Sequence, residues 1–200
     1  MRTIPPYIWN ILKEWSSGNI LSEPLQDDVS GSSAPPEYHT NQADIMNSRT
    51  NVPQLFFMTM GFLPLLQKAS ELHHGYSGTV VNISSISGIV QSSQHHFGYN
   101  ASKAAAIHLT KMLASEVAEN GIKVRINSIA PGVYPSEMTA QESGDDQKSH
   151  IEKDKYAKVP ARRPGKDEDM AGAVLFAVTN QYLNGQTVAV DGGYILHAGA

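Results

Sequence analysis

Three short runs limit what this chain can fold into: Thr79-Val80-Val81-Asn82-Ile83, Val124-Arg125-Ile126-Asn127-Ser128-Ile129 and Thr187-Val188-Ala189-Val190. Each has strand length and β-branched content. The first is apolar almost throughout, as a buried parallel strand is. Helix-length stretches separate the runs, and parallel strands need such crossovers. The reading is three parallel strands with crossover helices in an α/β sheet. One helix is expected from about His95 to Asn120. Another, of about five turns, is expected to bury Leu55, Met58, Phe62 and Leu65-Leu66 on one face. Pro53 suits its first turn, whereas Pro64 predicts a kink or an end. Asn51 is a natural N-cap for it. A third helix, capped by Asp167 or Asp169, runs through Thr179.

Composition removes several classes of function. The chain has 200 residues, a net charge of −4 and no cysteine. The charge offers no basic surface for nucleic acid. Without cysteine there are no disulfides, thiolate-bound zinc or Cys nucleophile. No apolar run has membrane-span length, and the start does not read as a signal peptide. A cytoplasmic protein without membrane contact is the expectation. His73-His74 and His95-His96 lack a third ligand at metal spacing, so no metal site is expected.

Tyr99 and Lys103 stand four residues apart and share a helix face. A cation beside a phenol favours the phenolate and draws its pKa below the usual value of about 10. That tunes the phenol for proton transfer near neutral pH. The plain alternative is an exposed Tyr and Lys on a solvated face. Their context argues for chemistry. The strand before them ends in Ser84-Ser85, and the strand after them ends in Pro131-Gly132. Ligands of open α/β sheets bind beyond the carboxyl ends of strands.

Asn82-Ile83-Ser84-Ser85, Tyr99-Asn100-Ala101-Ser102-Lys103, Asn127-Ser128-Ile129-Ala130-Pro131-Gly132 and Asn184-Gly185-Gln186 with Asp191-Gly192-Gly193 together resemble the short-chain dehydrogenase/reductase family. The nearest flavour is its 3-oxoacyl reductase-like branch. The resemblance runs from about Thr50 to Tyr194. It implies the C-terminal half of a Rossmann-type doubly wound parallel sheet over residues 50–200, behind a divergent segment 1–49.

The resemblance also implies roles. Tyr99 moves the proton, Lys103 lowers its pKa, Ser85 orients a carbonyl and Asn51 holds a relay water. Ser84 and Ser87 flank Ser85 and leave its register open by a position. Tyr99, Lys103, Pro131, Gly132, Val133 and Ser136 would face the nicotinamide end of NAD or NADP. The implied substrate is a small-molecule carbonyl or alcohol, and the implied assembly a homo-oligomer through the Asn51 and Tyr99 helices and the last helix and strand.

The family's opening strand and its Thr-Gly-x-x-x-Gly-x-Gly turn do not occur in the chain. That turn holds the pyrophosphate at a helix N-terminus. Its absence predicts weak dinucleotide binding and keeps two alternatives open. One is a cofactor-independent acid–base enzyme (isomerase, dehydratase or cyclase). The other is an inactive fragment. Losing the earlier strands also leaves Thr79–Ile83 as an exposed edge.

Before Asn51, Ile4, Tyr7, Ile8, Ile11, Leu12 and Trp15 recur at helical spacing. They read as a short helix packing on the core. Ser16–Ser48 is polar and reads as loop. Asn82-Ile83-Ser84 and Asn100-Ala101-Ser102 match glycosylation sequons but fall on elements expected to be buried.

Overall fold

The computed structural model describes residues 51–93, 96–135, 156–157 and 159–199. The elements run α1 (Pro53–Leu72), β1 (Gly78–Ile83), a 3-10 turn (Ile86–Gly88), α2 (Phe97–Glu119), β2 (Val124–Pro131), α3 (Asp167–Thr179), β3 (Thr187–Val190) and α4 (Tyr194–Ala198). The strands form a parallel sheet in the order β1-β2-β3. Gly78 pairs with Val124 through to Ile83 with Ile129, and Ser128 with Thr187 through to Pro131 with Val190. This is the expected α/β sheet, with strand ends shifted by a residue or two.

Alternate side chains of a strand leave opposite faces, and β2 uses both. Val124 and Ile126 enter the core with Met60 and Leu63 of α1 and Leu113, Ala114 and Val117 of α2. Arg125, between them, turns to α3. It is 5% exposed. Its guanidinium donates to the carbonyls of Ala177, Val178, Asn180 and Leu183, and to Ser77 Oγ. The last carbonyls of a helix have no partner within it, and a cation there also meets the negative end of the helix dipole. Burial holds the Arg125 pKa below its ordinary value. The N-terminus of α3 is closed by Asp169, whose carboxylate accepts from the Lys166 amide at 2.9 Å.

Of the kink or end expected at Pro64, the structure excludes the end: α1 continues through it, although a proline there removes the bond to the Met60 carbonyl. The expected apolar face of α1 needs correction. Its buried side chains are Thr59, Met60, Leu63 and Ser70. Of the stripe expected inside, Leu66 packs on the core, whereas Met58, Phe62 and Leu65 expose 53%, 51% and 62%. Leu55, Met58 and Phe62 look instead onto the free edge of β1. They are apolar for a neighbour that the described strands do not supply.

Candidate functional site

The residues singled out in the sequence come from three segments, and a chain of short contacts joins them. Tyr99 and Lys103 lie in the first two turns of α2, with the Lys103 amine 5.6 Å from the Tyr99 ring centre. The amine is half buried, which lowers its pKa from the ordinary value. Among the described residues Lys103 pairs with no carboxylate. A partly desolvated cation without a counter-charge is ready to hold a polar or anionic group.

Asn51 does not cap α1: the N-cap position is Val52, without a side-chain cap. The Asn51 amide reaches across to α2 and donates to Ser102 Oγ at 3.4 Å. Ser102 Oγ in turn donates to the Tyr99 carbonyl at 2.8 Å. Ser102 therefore ties Asn51 to the backbone of the tyrosine. Sequence reasoning passed over it as part of a coincidental sequon. The available signal was its place between Tyr99 and Lys103, one residue from the second.

The serines after β1 divide by hydrogen bonding. Ser84 is buried; its hydroxyl donates to the Ile129 carbonyl at 3.0 Å and accepts from Ser128 at 2.8 Å. That hydroxyl is used up inside the sheet. Ser85 is half buried and accepts from the Ser87 amide at 3.1 Å. Its proton goes to no described acceptor, so it can be donated to a bound molecule. Of the two, Ser85 is the one equipped to act.

Gly88 presses the Ser85 turn onto α2. A Cβ built on it would sit 2.5 Å from the Lys103 carbonyl carbon and 2.6 Å from the Ala104 nitrogen. Only a residue without a side chain allows that approach. Asn100 secures the far end of the loop, donating to the Ser92 and Ser93 carbonyls. Asn82, the other sequon asparagine, is buried and donates to Thr110 at 2.9 Å.

At the end of β2, Gly132 donates to the Val190 carbonyl at 3.0 Å. A Cβ there would lie 2.6 Å from Asp191 Cα, so the Pro131-Gly132 turn depends on glycine. The Val133 carbonyl accepts from Gly165 at 2.9 Å, which leaves the Val133 amide as its group for a ligand. Ser136 lies outside the described residues. Beside Val133, a cavity of about 210 Å³ is lined by Tyr134, Arg163, Asp169 and Asp191 among others. Burial, followed by Asp169, raises the Tyr134 pKa. Arg163 binds Asp169 at 2.5 Å and, with the Lys166 amide, holds the Asp169 pKa at about 2.

The described residues thus fit the nicotinamide-ribose end of a dinucleotide: an uncompensated amine, a phenol, a donating hydroxyl and a free backbone amide beyond the strand ends. None of them forms a glycine-rich turn at a helix N-terminus after a strand, so the pyrophosphate end has no such cradle among them. Among the described residues no three His, Cys, Asp or Glu side chains stand close enough to hold a metal ion. No described helix is long and apolar enough to cross a membrane.

Known proteins resemble the chain in sequence and in fold. A family model described as enoyl-(acyl carrier protein) reductase matches residues 45–195. The short-chain dehydrogenase/reductase PhomF' of Diaporthe leptostromiformis is 36% identical over 148 residues, 72% of this chain and 49% of that protein. The rhamnolipids biosynthesis 3-oxoacyl-[acyl-carrier-protein] reductase of Pseudomonas aeruginosa is 34% identical, over 73% of this chain and 55% of that one. Among solved structures, the Pseudomonas aeruginosa RhlG/NADP active-site complex superimposes with a TM-score of 0.68 at 31% identity, covering 80% of this chain and 61% of that one. The chain spans about half the length of the curated relatives it matches. By its matched residues and by the order of its strands and helices, it belongs to the short-chain dehydrogenase/reductase family.

Proposed function

We propose that this protein is an oxidoreductase that reduces a small-molecule carbonyl, or oxidises the corresponding alcohol, with NAD or NADP. The observation that carries the reading is the contact chain Asn51–Ser102–Tyr99–Lys103, with the Ser85 turn seated on the Lys103 backbone. Tyr99 gives the proton to the carbonyl oxygen, or takes it from the alcohol. Ser85 donates a hydrogen bond to the same oxygen and fixes its direction. Lys103 brings positive charge to the phenol and holds the ribose hydroxyls. Asn51 orders the water that resupplies the proton. The Val133 amide, after Pro131-Gly132, would hold the nicotinamide carboxamide; Ser136, the other residue that the family resemblance assigns to that end, lies outside the described residues. The nicotinamide, when bound, supplies or accepts the hydride.

The relatives are named reductases and dehydrogenases, which supports redox chemistry over isomerisation, dehydration or cyclisation. The reading includes a cytoplasmic location and no nucleic-acid or membrane partner. It also includes a homo-oligomer. Ala101, Ala104, Ala105 and Met112 are exposed along α2, and small residues there allow another helix to approach closely. Sedimentation at low micromolar protein tests this, since a single species at 21.7 kDa would contradict it.

Tyr99→Phe tests the chemistry. It removes one oxygen and keeps the ring. Assayed with each reduced cofactor against a panel of ketones and oxoacyl thioesters, its turnover is expected to fall about 10²–10⁴-fold. Activity within about twofold of the parent would exclude Tyr99 as the acid.

A further inference from the structure

Both helices that carry the site begin without a side-chain cap among the described residues. The N-cap of α1 is Val52 and that of α2 is His96, and neither makes a side-chain cap bond. Neither first turn has an acidic residue. Such groups normally satisfy the open donors at the start of a helix. Tyr99 is the third residue of α2, and Gly98 before it adds backbone freedom. A first turn built this way opens readily, yet a reacting group must be held to within about 0.5 Å.

Other bonds hold this turn. In a helix the Tyr99 carbonyl takes the amide four residues on, that of Lys103. Ser102 Oγ donates to the same carbonyl at 2.8 Å. Helical serines often bond backward in this way, which by itself is a local matter. Ser102 does more. It is 3% exposed, and its oxygen also accepts from Asn51 Nδ2 at 3.4 Å, across 51 residues of chain. That bond is long, as those of catalytic sites without substrate often are. Asn51 stands directly before Val52, so one buried hydroxyl fastens the uncapped start of α2 to the uncapped start of α1. Asn100 holds the outer side of the same turn through the Ser92 and Ser93 carbonyls.

We propose that Ser102 is a positioning residue: its hydroxyl stands in for the absent caps and sets Tyr99 against Asn51. The inference rests on the proposed function for the roles of those two residues. Ser102 acts through them and not on the substrate, so its loss slows the proton step and leaves substrate binding alone.

Ser102→Ala and Ser102→Thr are compared with the parent in the full chain. Steady-state rates are taken with NADPH or NADH and the best ketone or oxoacyl thioester of the panel. Amide exchange at Lys103 is measured in the protein alone. For Ser102→Ala, kcat is expected to fall about 10-fold or more, towards the ~10²-fold of a 1 Å misplacement, with KM within about twofold. Lys103 exchange should rise about fivefold, as the loss of one hydrogen bond implies. Threonine can make the same backward bond, so Ser102→Thr should restore both. Ser70→Ala is the control. Ser70 is 5% exposed, and its hydroxyl bonds the Leu66 and Lys123 carbonyls and the Gly78 amide, at the opposite end of β1 from Ser85. Its loss should lower Tm and spare both kcat and Lys103 exchange. A Ser102→Ala protein whose kcat and exchange match the parent or this control would overturn the proposal. Equal losses in the alanine and threonine proteins would do the same, since the hydroxyl would not be what matters. A parent without turnover would remove the proposed function but not this inference, which the exchange rates then decide: faster exchange in Ser102→Ala, restored in Ser102→Thr, supports it, and unchanged exchange overturns it. If a Ser102 variant does not fold, Asn51→Asp takes its place. It keeps the shape, removes the N–H donor and draws the Ser102 proton off the Tyr99 carbonyl, so Lys103 exchange should again rise; an unchanged rate would overturn the proposal.

Discussion

Gly88→Ala is the substitution that most directly probes how the site is assembled. A Cβ at residue 88 would lie 2.5, 2.6 and 2.8 Å from the Lys103 carbonyl carbon, the Ala104 nitrogen and the Lys103 oxygen. All three are backbone atoms of α2, so no side chain can rotate away. Ordinary contact begins near 3.4 Å, and the Ser85 turn must therefore lift by roughly 1 Å, as overpacked sites do. Strain of that kind costs about 1–3 kcal/mol, or roughly 3 °C of Tm per kcal/mol for a chain of this size. The same displacement carries Ser85 away from Tyr99 and Lys103. A 1 Å misplacement of reacting groups lowers turnover about 10²-fold. Thermal unfolding and initial rates read the two effects separately. Gly61→Ala is the control: nothing lies within 4 Å of its added methyl, and replacing a mid-helix glycine stabilises by about 0.5–1 kcal/mol. A Gly88→Ala protein that melts like the parent and turns over within about twofold of it would refute the reasoning.

Other perturbations test the frame around the site. Arg125→Met removes the donor to four carbonyls around the end of α3 and should cost about 3–4 kcal/mol in urea unfolding; a loss below about 1 kcal/mol would mean that water replaces it. Asp169 has a folded-state pKa of about 2 against 3.8. A carboxylate depressed on folding stabilises above its unfolded pKa, and that stability fades as the pH falls from about 4 to 2. Asp169→Asn should therefore lower Tm at neutral pH and flatten its fall in that window; an unchanged acid profile would show that the Arg163 pair and the α3 cap add nothing.

The three strands were legible because their β-branched runs had no competing pattern. The Tyr99 helix was legible because its spacing persisted for six turns. The face of α1 was misjudged for a physical reason: Leu55, Met58 and Phe62 form a good helical stripe, but it points along the sheet to an edge that no described strand occupies. The sequence pattern records an apolar surface and not its partner. Ser102 and Gly88 were not read as parts of the site, since their roles depend on backbone from distant segments. Arg125 likewise gives no sign in sequence that it will cap α3. Ser84 and Ser85 could be separated only by seeing which hydroxyl the sheet consumes.

In the proposed function the site holds the nicotinamide-ribose end, and the described residues offer no glycine-rich cradle to the pyrophosphate. Fluorescence titration of the full chain with NADH, NADPH and reduced nicotinamide mononucleotide tests this directly. The three should bind weakly, with affinities within a few-fold of one another, and Lys103→Met should weaken all of them alike. Micromolar binding of either dinucleotide, about −8 kcal/mol, together with a mononucleotide that binds far more weakly, would contradict it. So would the absence of binding by all three.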